Sequence, residues 1–190
     1  MILKLLKISL TIFFIGFSYL NAEIVNNLII NGNKRVSNET IKVYGEIELN
    51  KNYLESDLNK ILYNLYSTEF FEDVKLNLAN NTLTIDLKEY PVINQLIFNG
   101  ENNRRYISEI KKLIKLKEKK SFIKSYLSED IGTIKKLYSS VGYNFSEVTI
   151  KVKNYDDNKI DLLIDLNKGN QTKINSIKFI GDKKISDRRL

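Results

Sequence analysis

Apolar and polar positions alternate with a period of two in three short runs, and each run closes on a glycine. They are 25–33 (V-N-N-L-I-I-N-G-N), 93–101 (I-N-Q-L-I-F-N-G-E) and 174–182 (I-N-S-I-K-F-I-G-D). Leu28 and Ile30 share a face, as do Leu96 and Phe98, and Ile177 and Phe179; this alternation predicts half-buried strands. The closing residues Gly32, Gly100 and Gly181 are placed to supply a turn conformation that other residues avoid.

A helical pattern recurs behind the first two runs. Tyr53-Leu54-x-x-Asp57-Leu58-x-x-Ile61 matches Tyr126-Leu127-x-x-Asp130-Ile131-x-x-Ile134. Leu54, Leu58, Ile61 and Leu65 fall on one helical face, as do Leu127, Ile131, Ile134 and Tyr138. A shorter helix precedes each. The first is capped by Ser37 and carries Ile41 and Tyr44; the second carries Ile107, Ile110 and Leu113. Two alternating runs follow each long helix. Val74, Leu76 and Leu78 answer Leu83, Ile85 and Leu87 across Asn80-Asn81, and Val148, Ile150 and Val152 answer Ile160, Leu162, Ile164 and Leu166 across 154–158.

Each unit thus reads strand, helix, helix, strand, strand, an α+β arrangement in which one sheet packs on two helices. The expected organisation is a leader over 1–22, a first unit over 23–90, a second over 91–168 and the start of a third over 169–190. Pro91 stiffens the junction of the first two units. The third unit stops at Leu190, before it could bury its strand, so its remainder is expected beyond this sequence.

The leader has the order of an export signal: Lys4 and Lys7, an uncharged apolar stretch from Ile8 to Leu20, then Ala22. The 190 residues contain no Cys, no His and no Trp. Triads built on His or Cys, thiolate nucleophiles, ordinary zinc sites and disulfides are excluded, and no metal or cofactor is expected. The carboxylate pairs Asp156-Asp157 and Glu129-Asp130 point apart on a turn or a helix surface, and Gly142 belongs to no phosphate-binding motif. The net charge of +7 is uneven: residues 23–90 carry −4 and residues 91–168 carry +5. Export removes nucleic acid as the partner of that charge. The densest basic run is Lys111, Lys112, Lys115, Lys117, Lys119, Lys120 and Lys124, with Glu118 as the one acid among them. It reads as a solvated helix end or as a contact for anionic lipid headgroups or an acidic partner. Among the 11 tyrosines, Tyr44, Tyr53, Tyr63, Tyr66, Tyr126, Tyr138 and Tyr143 are expected to serve as amphipathic core residues.

Three stretches carry a family resemblance. Leu65-Tyr66-Ser67-Thr68-Glu69-Phe70-Phe71-Glu72-Asp73-Val74 has the form L-Y-x-T-G-x-F-x-D-V, with Glu69 in place of the glycine. Glu89-Tyr90-Pro91 followed by Ile97-Phe98-Asn99-Gly100 has the form E-x-P and then I-x-F-x-G-N, with Glu101 in place of the last Asn. Leu137-Tyr138, Val141-Gly142-Tyr143 and Val148 follow Y-x-x-x-G-Y-x-x-A-x-V. Along the whole mature chain this resembles the POTRA (polypeptide-transport-associated) domains of the BamA-type outer-membrane assembly factors. The resemblance implies a three-stranded mixed sheet on two helices in each unit, with the second strand at an edge. It implies a periplasmic, outer-membrane-associated scaffold without enzymatic activity, followed by further domains and a C-terminal transmembrane barrel. Its partners would be unfolded outer-membrane β-barrel proteins, periplasmic chaperones and accessory lipoproteins. Clients would add by β-augmentation to Val74, Lys75, Leu76, Asn77 and Leu78 or to Val148, Thr149, Ile150, Lys151 and Val152. A related translocation or secretion-partner transporter is the alternative, and a division-type membrane protein with a single such domain is a more distant one.

Overall fold

The computed structural model describes residues 23–177. The leader, Gly181 and most of the third run lie outside the described residues. The chain divides into two compact units that part between Tyr90 and Pro91.

Unit one runs β1 (Glu23–Val25), β2 (Asn27–Asn31), α1 (Asn38–Tyr44), β3 (Lys51–Tyr53), α2 (Glu55–Ser67), β4 (Phe71–Ala79) and β5 (Thr82–Glu89). Unit two runs β6 (Val92–Asn99), α3 (Arg104–Leu113), α4 (Tyr126–Ser140), β7 (Glu147–Tyr155) and β8 (Lys159–Asn167). The main sheets have the order β2-β5-β4 and β6-β8-β7. The last strand of each unit is therefore central, parallel to the first and antiparallel to its hairpin partner.

The hairpin registers follow the hydrophobic pattern. Val74, Leu76 and Leu78 face Leu87, Ile85 and Leu83. Val148, Ile150 and Val152 face Leu166, Ile164 and Leu162. Asn80 and Asn81 both take positive φ, 51° and 59°, as the tight hairpin turn requires. In the second hairpin the strand runs on through Asn154 to Tyr155, and Asp157 and Asn158 take the turn. One face of each central strand is buried under the helices, Leu83, Ile85 and Leu87 with Ile41, Ile61 and Leu65 in unit one, and Ile160, Leu162 and Ile164 with Ile110, Ile134 and Tyr138 in unit two. Each such burial contributes about 1.5–3 kcal/mol relative to exposure.

Several expectations need correction. The first strand-like run is two strands, because the chain turns at Asn26 so that β1 can pair antiparallel with β3 while β2 pairs with β5. Unit two does the same with a bulge between Ile93 and Gln95. There, Lys119 N–H bonds the Ile93 carbonyl (2.6 Å), Ile93 N–H the Lys120 carbonyl (2.9 Å) and Phe122 N–H the Pro91 carbonyl (2.7 Å). Leu54 is the N-cap of α2 and is exposed, while Tyr53, in β3, is the buried residue. Leu113 is exposed at the end of α3. Tyr44, Tyr63 and Tyr66 are also exposed, so only some of the tyrosines are core residues. The described part of the third run, 174–177, carries no strand.

Backbone proximity sets two glycine positions. Gly32 and Gly100 have φ of +83° and +79°, and a Cβ on either would collide with the carbonyl oxygen of Leu87 or Leu166 in the central strand. At the exits of the long helices the chain again turns left-handed, at Gly142 (φ 92°) in unit two and at Glu69 (φ 58°) in unit one. Glu69 thus adopts the conformation that the family glycine would take, against its Cβ.

A buried carboxylate closes each unit, from opposite sides. In unit one Glu89, at the end of β5, accepts from the N–H groups of Lys34 (2.9 Å), Arg35 (3.0 Å) and Val36 (3.0 Å), with the Arg35 side chain 3.8 Å away. In unit two the acid is Glu101, just after Gly100. It accepts from Asn103 N–H (2.9 Å), the Tyr138 hydroxyl (3.0 Å) and the ammonium of Lys168 (3.1 Å), which follows β8. Burial pushes the Glu101 carboxyl up, but the bonds from Asn103, Lys168 and Tyr138 outweigh it and hold the group below its ordinary value.

Two predictions follow from these positions. The left-handed conformation costs a side-chain-bearing residue about 1–2 kcal/mol and glycine about 0.5–1 in lost freedom. Glu69→Gly should therefore stabilise unit one by about 0.5–1 kcal/mol in urea unfolding followed by circular dichroism; an unchanged or lowered midpoint would refute the strain. A carboxyl with a lowered native pKa contributes stability above its unfolded pKa and loses it as pH falls. Unit two should accordingly weaken as pH drops below the ordinary value of 4.5. Glu101→Gln should remove about 2 kcal/mol at neutral pH and make that acid limb shallower.

Candidate functional site: the exposed sheet edges and the basic loop

An edge strand presents every second N–H and C=O to its surroundings. Here β4 and β7 are both outer strands of their sheets. The direction of a strand amide is tied by residue chirality to the face its side chain takes. Residues equivalent in face and register therefore turn their amides the same way.

On β4, Val74 faces the core opposite Leu87. Its N–H donates to the Tyr66 hydroxyl at 3.1 Å, and that hydroxyl stands 3.5 Å from the Val74 carbonyl and 3.4 Å from an Asp73 carboxylate oxygen. Both polar groups of Val74 therefore turn away from β5, and Tyr66 meets them. Lys75 pairs with Asp73 (3.5 Å), and Asn77 is exposed beside the half-buried Leu76 and Leu78.

On β7, Val148 stands opposite Leu166, as Val74 stands opposite Leu87. Among the described residues no side chain bonds the outward amides of Val148, Ile150, Val152 or Asn154. Thr149, Lys151 and Lys153 line the outer face. Lys151 is drawn across the sheet to Asp165 (2.8 Å), which also accepts from Asn99 (2.9 Å). These two bonds hold the Asp165 carboxyl below its ordinary value. Unit one has the same rung in Asn31 and Asp86 (2.9 Å). Lys153 lies 5.0 Å over the Tyr155 ring, and the Tyr155 hydroxyl donates to Asp161 (2.7 Å). Asp161 is buried and also accepts from Asn94 and Gln95, at the bulge, both at 2.9 Å. Burial pushes the Asp161 carboxyl up, and the bonds from Gln95, Tyr155 and Asn94 more than reverse this. The apolar groups beside the edge are Val152 and Tyr155 (37% and 44% exposed) and Phe145 just before it (78% exposed).

The opposite edge of that sheet is covered. Leu96 N–H of β6 donates to Glu118 (3.1 Å), and the 117–122 loop is pinned to the start of β6 by the three bonds above. Asp130 anchors the other side of the loop, accepting from Lys115 N–H (2.7 Å) and Leu116 N–H (2.9 Å). Its counterpart in the repeated pattern, Asp57, instead accepts from Leu54 N–H at the start of α2 (2.9 Å).

The basic run is less uniform than its sequence. Glu118 is not its only acid: Lys111 pairs with Glu118 (3.2 Å), Lys112 with Glu109 (2.8 Å) and Lys115 with Glu129 (2.6 Å). Lys117 reaches the Lys112 carbonyl (3.2 Å). Lys117, Lys119, Lys120 and Lys124 are exposed and have no carboxylate partner among the described residues. Glu109 lies one helical turn before Lys112, and Glu129 reaches Lys115 from the next helix.

The register of the two long helices is the one the repeated helical pattern gives. Ile61 and Leu65 occupy the buried places of Ile134 and Tyr138. The Leu65-Tyr66 and Leu137-Tyr138 pairs are therefore one residue out of step. Tyr66 points to the β4 edge, Tyr138 to buried Glu101, and Ser139 stands where unit one has Tyr66.

A family model described as "POTRA: Surface antigen variable number repeat" matches residues 91–169. That match takes in every strand and helix of unit two. Over 173 residues, 91% of its length, this chain is 25% identical to the outer membrane protein assembly factor BamA of Neorickettsia risticii. It is 26% identical over 193 residues, 99% of this chain, to that of Neisseria meningitidis. The chain spans about a quarter of the length of these curated relatives (23% and 24%). Similar solved structures include the N-terminal domain of Omp85 from Thermosynechococcus elongatus, with 14% identity, TM-score 0.49, and coverage of 76% of this chain and 63% of that one. Haemophilus influenzae BamA POTRA3-5 has 17% identity and TM-score 0.39, and covers 92% of this chain and 78% of that one.

Proposed function

We propose that this chain is the periplasmic part of an outer-membrane β-barrel assembly factor and acts as a scaffold rather than an enzyme. Residues 1–22 direct export, and 169–190 open a third POTRA unit. Unfolded outer-membrane proteins, brought by periplasmic chaperones, add as strands to the sheet edges, and accessory lipoproteins dock on the same units. Insertion is completed by a barrel beyond this sequence. The observation that carries the reading is a nine-residue outer strand, β7, whose outward amides no described side chain meets, in a unit that matches the POTRA family model and in a chain whose relatives are named as assembly factors. Main-chain pairing is tolerant of sequence, which suits clients that share only an extended, alternating form. A photo-crosslinking residue at Thr149 should capture an unfolded barrel protein, and one at Ser128 or Lys135 on the helix surface should not. Equal capture at all three positions would reject augmentation.

The unpaired lysines favour a second contact within this reading. Lys117, Lys119, Lys120 and Lys124 are held on a pinned loop, and each Lys near an anionic surface contributes about 1 kcal/mol. Reversing charge at Lys117, Lys119 and Lys120 should weaken binding to phosphatidylglycerol vesicles about 100-fold or more at low salt. Binding that is insensitive to salt and to the reversal would leave these lysines as solvated surface.

A further inference from the structure

Resting on the augmentation reading, we infer that the two edges are unequal: Tyr66 closes β4, and β7 is the edge that accepts an extended, alternating polypeptide. Val74 lies near the middle of β4; its N–H donates to the Tyr66 hydroxyl (3.1 Å), which stands 3.5 Å from its C=O and so covers this rung. Beyond it only Leu76 and Leu78 present outward amides before the turn at Asn80 and Asn81. Two rungs are the least that a strand of five or six residues makes, against four on β7. On β7 the outward residues Val148, Ile150, Val152 and Asn154 form an uninterrupted row. Ser139, the counterpart of Tyr66, is too short to reach that row, and its hydroxyl is engaged with Asn144 at 2.6 Å.

Lysines on an edge normally guard it against added strands. Here Lys151 is tied to Asp165 and Lys153 lies over Tyr155, so both are folded onto the outer face and clear of the edge. An added strand would set apolar side chains beside Ile150 and Val152, and polar or acidic ones beside Thr149, Lys151 and Lys153. The fitting partner is thus an extended segment of alternating apolar and polar or acidic residues, about nine residues long to match β7.

The test is NMR titration of the ¹⁵N-labelled chain with an end-capped nine-residue peptide of alternating Val and Thr or Glu. In the native chain the amide shifts should follow Glu147–Tyr155 and leave Phe71–Ala79 still. Tyr66→Ser, which writes the unit-two residue into unit one, should bring Val74, Leu76 and Leu78 into the response, with binding at β4 tightened about fivefold or more for one recovered main-chain rung. Val152→Pro, which deletes an outward N–H without touching the ladder, should abolish the β7 response. If Tyr66→Ser disperses the unit-one amides, Tyr66→Phe, which removes only the hydroxyl, is read in the same way. Equal β4 and β7 shifts in the native chain, or a silent β4 in the variants while β7 responds, would overturn the inequality and leave augmentation standing. No response at either edge in any of these proteins would overturn augmentation itself.

Discussion

Each unit is organised around a central strand that comes last in the chain. β5 and β8 cannot take their places until β2 or β6, both helices and the other hairpin strand have been made, and the Asn31–Asp86 rung alone spans 55 residues. Such long closures are entropically costly and are recovered only when the inner face of the central strand is buried. The same constraint creates the candidate site. A three-stranded sheet with its last strand in the middle must leave the first and second strands at the edges. The first is covered in unit two by the interhelical loop, and the second is then the place where unpaired backbone meets the surroundings.

The carboxylate that locks each closure shows how the same geometry is reached by different chemistry. Unit one places the acid at the end of the central strand and takes three loop N–H groups on it. Unit two places the acid in the loop and a cation at the end of the strand, with a buried tyrosine as third partner. What the fold requires is satisfaction of the loop that follows the close approach of Gly32 or Gly100 to the central strand. Either sign of the arrangement supplies it, provided the buried charge has its partners.

The strands and hairpin registers were legible because a period of two leaves little choice once one face is buried, as Val74 with Leu87 and Val148 with Leu166 illustrate. The splitting of the first run at Asn26 was not legible. β1 is three residues long, and its partner β3 sits in what reads as a helix approach. Leu54 looked like a helix-face residue because a cap and a first-turn position differ by one step in sequence but by a large turn in backbone direction. The ion pairs of Lys112 and Lys115 were hidden because their acids lie on neighbouring turns or on another helix, outside a linear count of the basic run.

The role of Tyr66 was hidden by the motif that drew attention to it. Leu65-Tyr66 and Leu137-Tyr138 look alike, yet a one-residue difference in helix register turns one tyrosine outward to the β4 edge and the other inward to Glu101. On a helix one residue is a rotation of about 100°, enough to exchange a core position for a surface one. Tyr138 stands where unit one has Leu65 and donates to Glu101, whereas unit one settles its carboxylate with backbone amides. What separates the two edges is the next helix position: unit one has a tyrosine long enough to reach its second strand, and unit two has Ser139, turned to Asn144.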